Sequence, residues 1–163
     1  ENLSAYERNK FYLNIDGHKF FDVSFASDVD IDSDSRSAVG ADFDQDGYPD
    51  LLVGSAGGGS LRLFSNQFPR TNRFLSIELE GTKSNRPAIG SRVTLKVGPR
   101  KIIRDLFPAN GCMGLSPAQL LIGIGNATVV DELTVRWPDG KLQSFENVPV
   151  DRPFQLKEAG IGQ

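Results

Sequence analysis

The chain sustains almost no apolar spacing of three and four, which removes most helical folds from consideration. What recurs instead is short segments of alternating apolar and polar residues, each closed by Gly, Pro, Asn or Asp. In FLSIELEG, Leu75, Ile77 and Leu79 share one face while Ser76, Glu78 and Glu80 share the other, as a half-buried strand requires. SRVTLKVG repeats the pattern with Val93, Leu95 and Val97 inward, and ELTVRW sets Leu133, Val135 and Trp137 against Glu132, Thr134 and Arg136. KIIRDLF and QLLIGIG are apolar runs of strand length. The expectation is an all-β chain. Asp139-Gly140 reads as a type I′ hairpin turn, with both central residues at positive φ, folding residues 141–146 back on ELTVRW. FYLNIDGHKFFDVSF carries another Asp-Gly turn, at Asp16-Gly17.

Between AVGA and LLVG stands DFDQDGYPD, residues 42–50, with four aspartates at alternate or near-alternate positions. An EF-hand loop needs oxygen ligands at positions 1, 3, 5, 7, 9 and 12, a bidentate Glu at 12, and flanking helices. Position 12 counted from Asp42 is Val53, in an apolar strand, so an EF-hand is excluded. The first nine positions still have the right chemistry. Asp42, Asp44 and Asp46 supply oxygens at 1, 3 and 5, Tyr48 offers its carbonyl at 7, Asp50 supplies a carboxylate at 9, and Gly47 permits the sharp turn. Calcium suits such a cage better than magnesium, because it accepts six to eight oxygens at flexible angles. Without a cation these carboxylates repel, at a cost on the order of 1 kcal/mol per close exposed pair.

A second acidic run, DVDIDSDS, with Asp28, Asp30, Asp32 and Asp34, lacks a glycine for a ligand-wrapping turn. It reads as a solvated loop, with a weak second cation site as the alternative. SAGGGS lacks the Lys-Ser/Thr pair and helix of a phosphate-binding P-loop and reads as a hairpin connection.

Composition narrows the partners. A formal charge of -3 with both signs mixed along the chain gives no broad cationic face, so neither nucleic acid nor anionic lipid is expected. No stretch approaches the roughly 20 apolar residues of a membrane span, so no direct span is expected. The sequence opens at Glu1 without an initiator methionine, which suits a removed leader or a piece of a longer product. Cys112 is the only cysteine, so an intramolecular disulfide is excluded, and its setting favours a small buried hydrophobe over a nucleophile. His18, the only histidine, stands in a turn leading to a strand.

The acidic loop with its AVGA and LLVG flanks resembles the FG-GAP or VCBS-type repeat, the blade unit of integrin-α-like β-propellers. That resemblance implies a calcium ion held by Asp42, Asp44, Asp46, Tyr48 through its carbonyl, and Asp50. GTKSNRPAIGSRVTLKVG and LLIGIGNATVVDELTVRWPDGKLQSFENVPVDRPFQL are similar to the ASPIC/UnbV domain, which follows FG-GAP repeats in the cartilage acidic protein family and in many bacterial secreted proteins. The implied architecture is one propeller-blade-like antiparallel meander followed by an antiparallel β-sandwich-like domain. The blade is expected over 1–65, a linker over 66–73, the ASPIC/UnbV-like domain over 74–158 and a tail over 159–163. The family commonly carries an aromatic and a Ser-Gln pair where Cys112, Gly114 and Leu115 stand here.

One blade cannot close a propeller, and an isolated meander leaves two edges unpaired. The functional expectation is a non-catalytic, calcium-stabilised protein-interaction module, an accessory subunit working in a secreted, periplasmic or cell-surface setting. Its partner would be another protein or further blades of a longer chain. No catalytic residue and no organic cofactor is expected. The alternatives are a carboxylate-based hydrolase, for which the acids suffice but the nucleophile-base pairs do not, and a carbohydrate-binding domain, for which exposed aromatics in a row are missing.

Overall fold

A computed structural model describes residues 7–56, 59–109 and 114–159 of the 163-residue chain, and among them there are strands and turns but no helix. Cys112 and part of the SAGGGS connection lie outside the described residues. The described chain divides into two compact units, one gathering 7–40 and 50–65 with Gly114, the other gathering 41–49, 66–109 and 115–159.

In the first unit, β1 (Tyr12–Ile15) and β2 (Lys19–Asp22) form an antiparallel hairpin. Asp16 and Gly17 both take positive φ, at 52° and 74°, and the His18 N–H closes the turn on the Ile15 carbonyl at 3.0 Å. The meander follows as a three-stranded sheet in the order β3-β4-β5, from β3 (Ser35–Ala41), β4 (Asp50–Ser55) and β5 (Arg62–Phe64). Strand β5 runs antiparallel to β4, with Leu51 opposite Phe64. Of the described apolar side chains in this unit, only Val29 and Val53 are fully buried.

The second unit is a sandwich of two sheets. One, ordered β12-β6-β9, comprises β6 (Arg73–Glu80), β9 (Gln119–Gly125) and β12 (Pro153–Lys157). The other, ordered β11-β10-β7-β8, comprises β7 (Arg92–Val97), β8 (Arg100–Asp105), β10 (Val129–Arg136) and β11 (Leu142–Pro149). Alternation decides which residues meet between them. Leu75, Ile77 and Leu79 from β6, Val93, Leu95 and Val97 from β7, and Leu133 and Val135 from β10 all lie in one apolar core. Trp137 joins them at 1% exposure, its indole N–H donating to Gln143 Oε1 at 3.0 Å, so the polar edge of the ring is satisfied inside the protein. Phe145 on β11 and Phe154 on β12 meet edge to face at 5.8 Å.

Two details differ from the sequence reading. The Asp139-Gly140 turn is not type I′, because only Gly140 takes positive φ, at 90°. Pro138 fixes φ near the value that the first central residue of a type I turn requires, which starts the reversal one residue earlier. The Gly140 N–H then bonds the Trp137 carbonyl and the Trp137 N–H the Lys141 carbonyl, each at 2.9 Å, giving a three-residue Pro138-Asp139-Gly140 loop. Residues 142–146 still fold back on β10, with Arg136 opposite Leu142. The sandwich is also not wholly antiparallel, since β12 runs parallel to β6, pairing Phe154 with Ile77 and Leu156 with Leu79.

Glu158, just past β12, is 3% exposed and pins the turn after β6. Its Oε2 accepts the backbone N–H groups of Thr82, Lys83 and Ser84 at 2.8, 2.8 and 2.9 Å, and Oε1 accepts the Ser84 hydroxyl at 3.0 Å. The Ser84 N–H, then those of Lys83 and Thr82, hold this carboxyl down at about 2, overcoming the opposing effect of burial. A lowered folded-state value means the stabilisation is fully present above the ordinary value of 4.5 and is lost as pH falls toward 2. Glu158→Gln should therefore lower the melting temperature at pH 7 and leave a shallower loss of stability between these pH values. Thermal melts of the two proteins across the acid range measure the difference.

Candidate metal centre

The turn joining β3 to β4 is organised by its own carboxylates. Asp42 Oδ1 accepts the Asp46 N–H at 3.0 Å and its Oδ2 accepts the Gly47 N–H at 2.9 Å. Asp44 Oδ1 accepts the Asp46 N–H at 3.3 Å, and Asp46 Oδ1 accepts the Tyr48 N–H at 2.8 Å. Short acidic side chains thus meet the backbone donors that a tight reversal leaves unpaired. Gln45 and Gly47 supply the positive φ values, 61° and 89°, that wrap the chain around them.

This wrapping brings Asp42, Asp44 and Asp50 together, with one carboxylate oxygen of each lying within 4.8 Å of the others. Asp50 is buried at 4% exposure. Asp46 points elsewhere: its Oδ2 forms a close ion pair with the Arg70 guanidinium, which also stands 4.0 Å from Asp44 Oδ2. Tyr48 uses its hydroxyl to donate to the Asn72 carbonyl at 2.7 Å, while Asn66 Nδ2 donates to the Pro49 carbonyl at 3.0 Å. Of the sequence-derived ligands, the three carboxylates of Asp42, Asp44 and Asp50 converge, and Asp46 is engaged by Arg70.

The donor set fits a hard divalent cation. All the converging atoms are carboxylate oxygens, the chemistry that calcium or magnesium requires. Asp46 Oδ2 is buried and receives no well-aligned hydrogen bond among the described residues, where the charge of Arg70, a cation standing in the same neighbourhood, compensates it. Arg70 and Asn72 lie in a stretch that reads as a polar linker, and nothing in their sequence setting marks them as partners of the turn.

The second acidic run behaves differently. Asp30 faces Arg8 at 3.6 Å and Asp34 faces Arg36 at 2.8 Å, and among the described residues the run forms no converging carboxylate group. His18 stays in the β1–β2 turn.

Comparison with known families places these features. The FG-GAP repeat matches residues 35–68, which span β3, the acidic turn, β4 and β5. The family described as ASPIC and UnbV matches residues 81–162, half of the chain. The chain belongs to the ASPIC and UnbV family. No curated protein matches it at a significant level.

Within this ASPIC and UnbV protein, the acidic turn depends on one glycine for two separate reasons. Gly47 holds φ at 89°, which side-chain-bearing residues rarely adopt, and a Cβ there would overlap the ring of Phe74 on β6. Alanine would have to displace an aromatic ring as well as strain the backbone. Gly47→Ala should destabilise the protein by about 2–4 kcal/mol, combining backbone strain and overpacking. Urea denaturation monitored by circular dichroism tests this, and a loss below about 0.5 kcal/mol, the range of ordinary surface substitutions, would contradict it.

Proposed function

We propose that this chain is a non-catalytic protein-interaction module, stabilised by calcium in the 42–50 turn and working outside the cytoplasm as a component of a larger assembly. The observation that carries the reading is the convergence of Asp42, Asp44 and Asp50 in the turn of a hairpin that falls inside the FG-GAP match. The pairing of an FG-GAP repeat with an ASPIC and UnbV region suggests an extracellular-type interaction module. Calcium supplies a compact double positive charge to oxygen ligands. In this turn Asp42, Asp44 and Asp50 would hold it, with Asp46 and the Tyr48 carbonyl completing the set. An extracellular site of this kind fills at a Kd on the order of 10⁻⁴ to 10⁻³ M.

The acids of the turn are better suited to this role than to acid-base chemistry. Asp42, Asp44 and Asp46 already accept backbone N–H groups of their own turn, which fixes them as a frame. The interaction role draws on the first unit. With Val29 and Val53 as its only fully buried apolar side chains among the described residues, it presents Phe20 at 64%, Phe25 at 86% and Leu61 at 68% exposure. Exposed large apolar groups on a unit with so small a core favour burial against a protein partner or further blades of the same kind. No helix among the described residues is long and apolar enough to cross a membrane, which says nothing of strands.

Calorimetric melts in calcium and in chelator test the metal. At about 10 mM calcium, a ligand of this affinity that binds only the native state adds about 1.4–2.7 kcal/mol, enough to raise the midpoint by several degrees. Asp42→Asn and Asp50→Asn should each remove most of that rise, and a wild-type midpoint indifferent to calcium would overturn the metal assignment. Light scattering of the protein isolated from its native source tests the assembly. A complex of fixed stoichiometry is expected, and a partnerless monomer would contradict it.

A further inference from the structure

We infer that Arg70 is a built-in counter-cation of the acidic turn, one that must leave Asp46 before a metal ion can take it. The inference rests on the calcium reading of the turn given above. It starts from how the carboxylate oxygens are used. Both Asp42 oxygens, Asp44 Oδ1 and Asp46 Oδ1 accept backbone N–H groups of the turn. The oxygens left over on Asp44 and Asp46 are the two Oδ2 atoms, and the Arg70 guanidinium faces both. A side chain from outside the turn therefore sits where the turn presents its unused negative charge.

The two partners differ in their freedom to move. The Asp46 side chain is 10% exposed and tied by the Tyr48 N–H, whereas the Arg70 side chain is 54% exposed. Asp46 stays in place and Arg70 can swing into solvent. Asp46 Oδ2 also gains charge but no aligned hydrogen bond from Arg70, a need that a spherical cation meets from any direction. A divalent ion at Asp46 and a guanidinium at the same oxygen would repel, so occupancy by one excludes the other. Leaving does not detach the backbone around Arg70. Asn66 holds the Pro49 carbonyl on one side, and on the other Tyr48 and Asn72 exchange two hydrogen bonds, 2.7 and 3.3 Å. The switch is thus a single side chain on an anchored segment.

Arg70 consequently does two opposed things: it stabilises the ion-free turn and weakens the turn's hold on calcium. Calcium titration calorimetry and melts in chelator on the wild-type chain, Arg70→Gln and Arg70→Lys separate these effects. Arg70→Gln should melt lower in chelator yet bind calcium about three- to tenfold more tightly, in keeping with the loss of a competing, partly exposed ion pair. Arg70→Lys, which keeps the charge and loses the fork, should fall between the two on both measurements. An ion pair with only a structural role would lower stability without tightening binding. Wild type that binds calcium, with Arg70→Gln binding equally or more weakly, overturns the role of Arg70 and leaves the calcium reading standing. Absence of calcium binding in both proteins overturns the calcium reading and this inference with it.

Discussion

A chain of short strands joined by many tight turns leaves backbone N–H groups that no ladder can reach, and acidic side chains take them up throughout this molecule. Asp42 gathers two such groups in the β3–β4 turn, and Glu158 gathers three after β6. Asp131 accepts the Gly98 N–H at the β7–β8 turn, and Asp151 accepts the Phe74 N–H at the start of β6. Asp22 accepts both the N–H and the hydroxyl of Ser24, which with Lys10 holds it at about 2. A carboxylate is a strong acceptor because its charge reinforces the hydrogen bond. The modest acidity of the chain, with a formal charge of -3, therefore has a structural use well beyond any metal.

The acidic turn carries this device to the point where charge accumulates. Backbone N–H groups bring only partial positive charge, and Asp42, Asp44 and Asp50 still converge. A full positive charge nearby is the natural complement, and the fold supplies Arg70 from the stretch that precedes β6. Gly47 lets that stretch and β6 come close, since the ring of Phe74 fills the space a side chain would need. The turn is consequently shaped by its neighbours as well as by its own sequence.

The strands and the core were legible because period-two alternation is a local property. Leu75, Ile77, Val93, Leu95, Leu133 and Val135, chosen by alternation alone, are all at most 1% exposed. The exclusion of an EF-hand was equally local, resting on Val53, which the fold places buried in β4. What escaped reading depended on residues far apart or on one competing neighbour. Pro138 overrode the Asp-Gly signal next to it, since a fixed φ outweighs a statistical turn preference. Glu158 reaches Thr82 across 76 positions, and Arg70 reaches Asp46 from a segment whose composition says only that it is polar. No periodicity encodes such pairings, because they arise only once the sheets have assembled.

The parallel seat of β12 beside β6 has a consequence in time. In its sheet, β6 lies between β9 and β12, and β12 is the last strand of the sandwich among the described residues. A ribosome delivering this protein would release every other strand of the sandwich before the one that completes this sheet. Until residues 153–158 emerge, one edge of β6 stands open and the turn at Thr82–Ser84 lacks its carboxylate anchor. Pairings of such long range form slowly, because the loop they close must be ordered before any contact rewards it. The nascent sandwich thus carries a bare strand edge from the emergence of β6 until that of β12, the condition under which chaperones are most useful to a β protein.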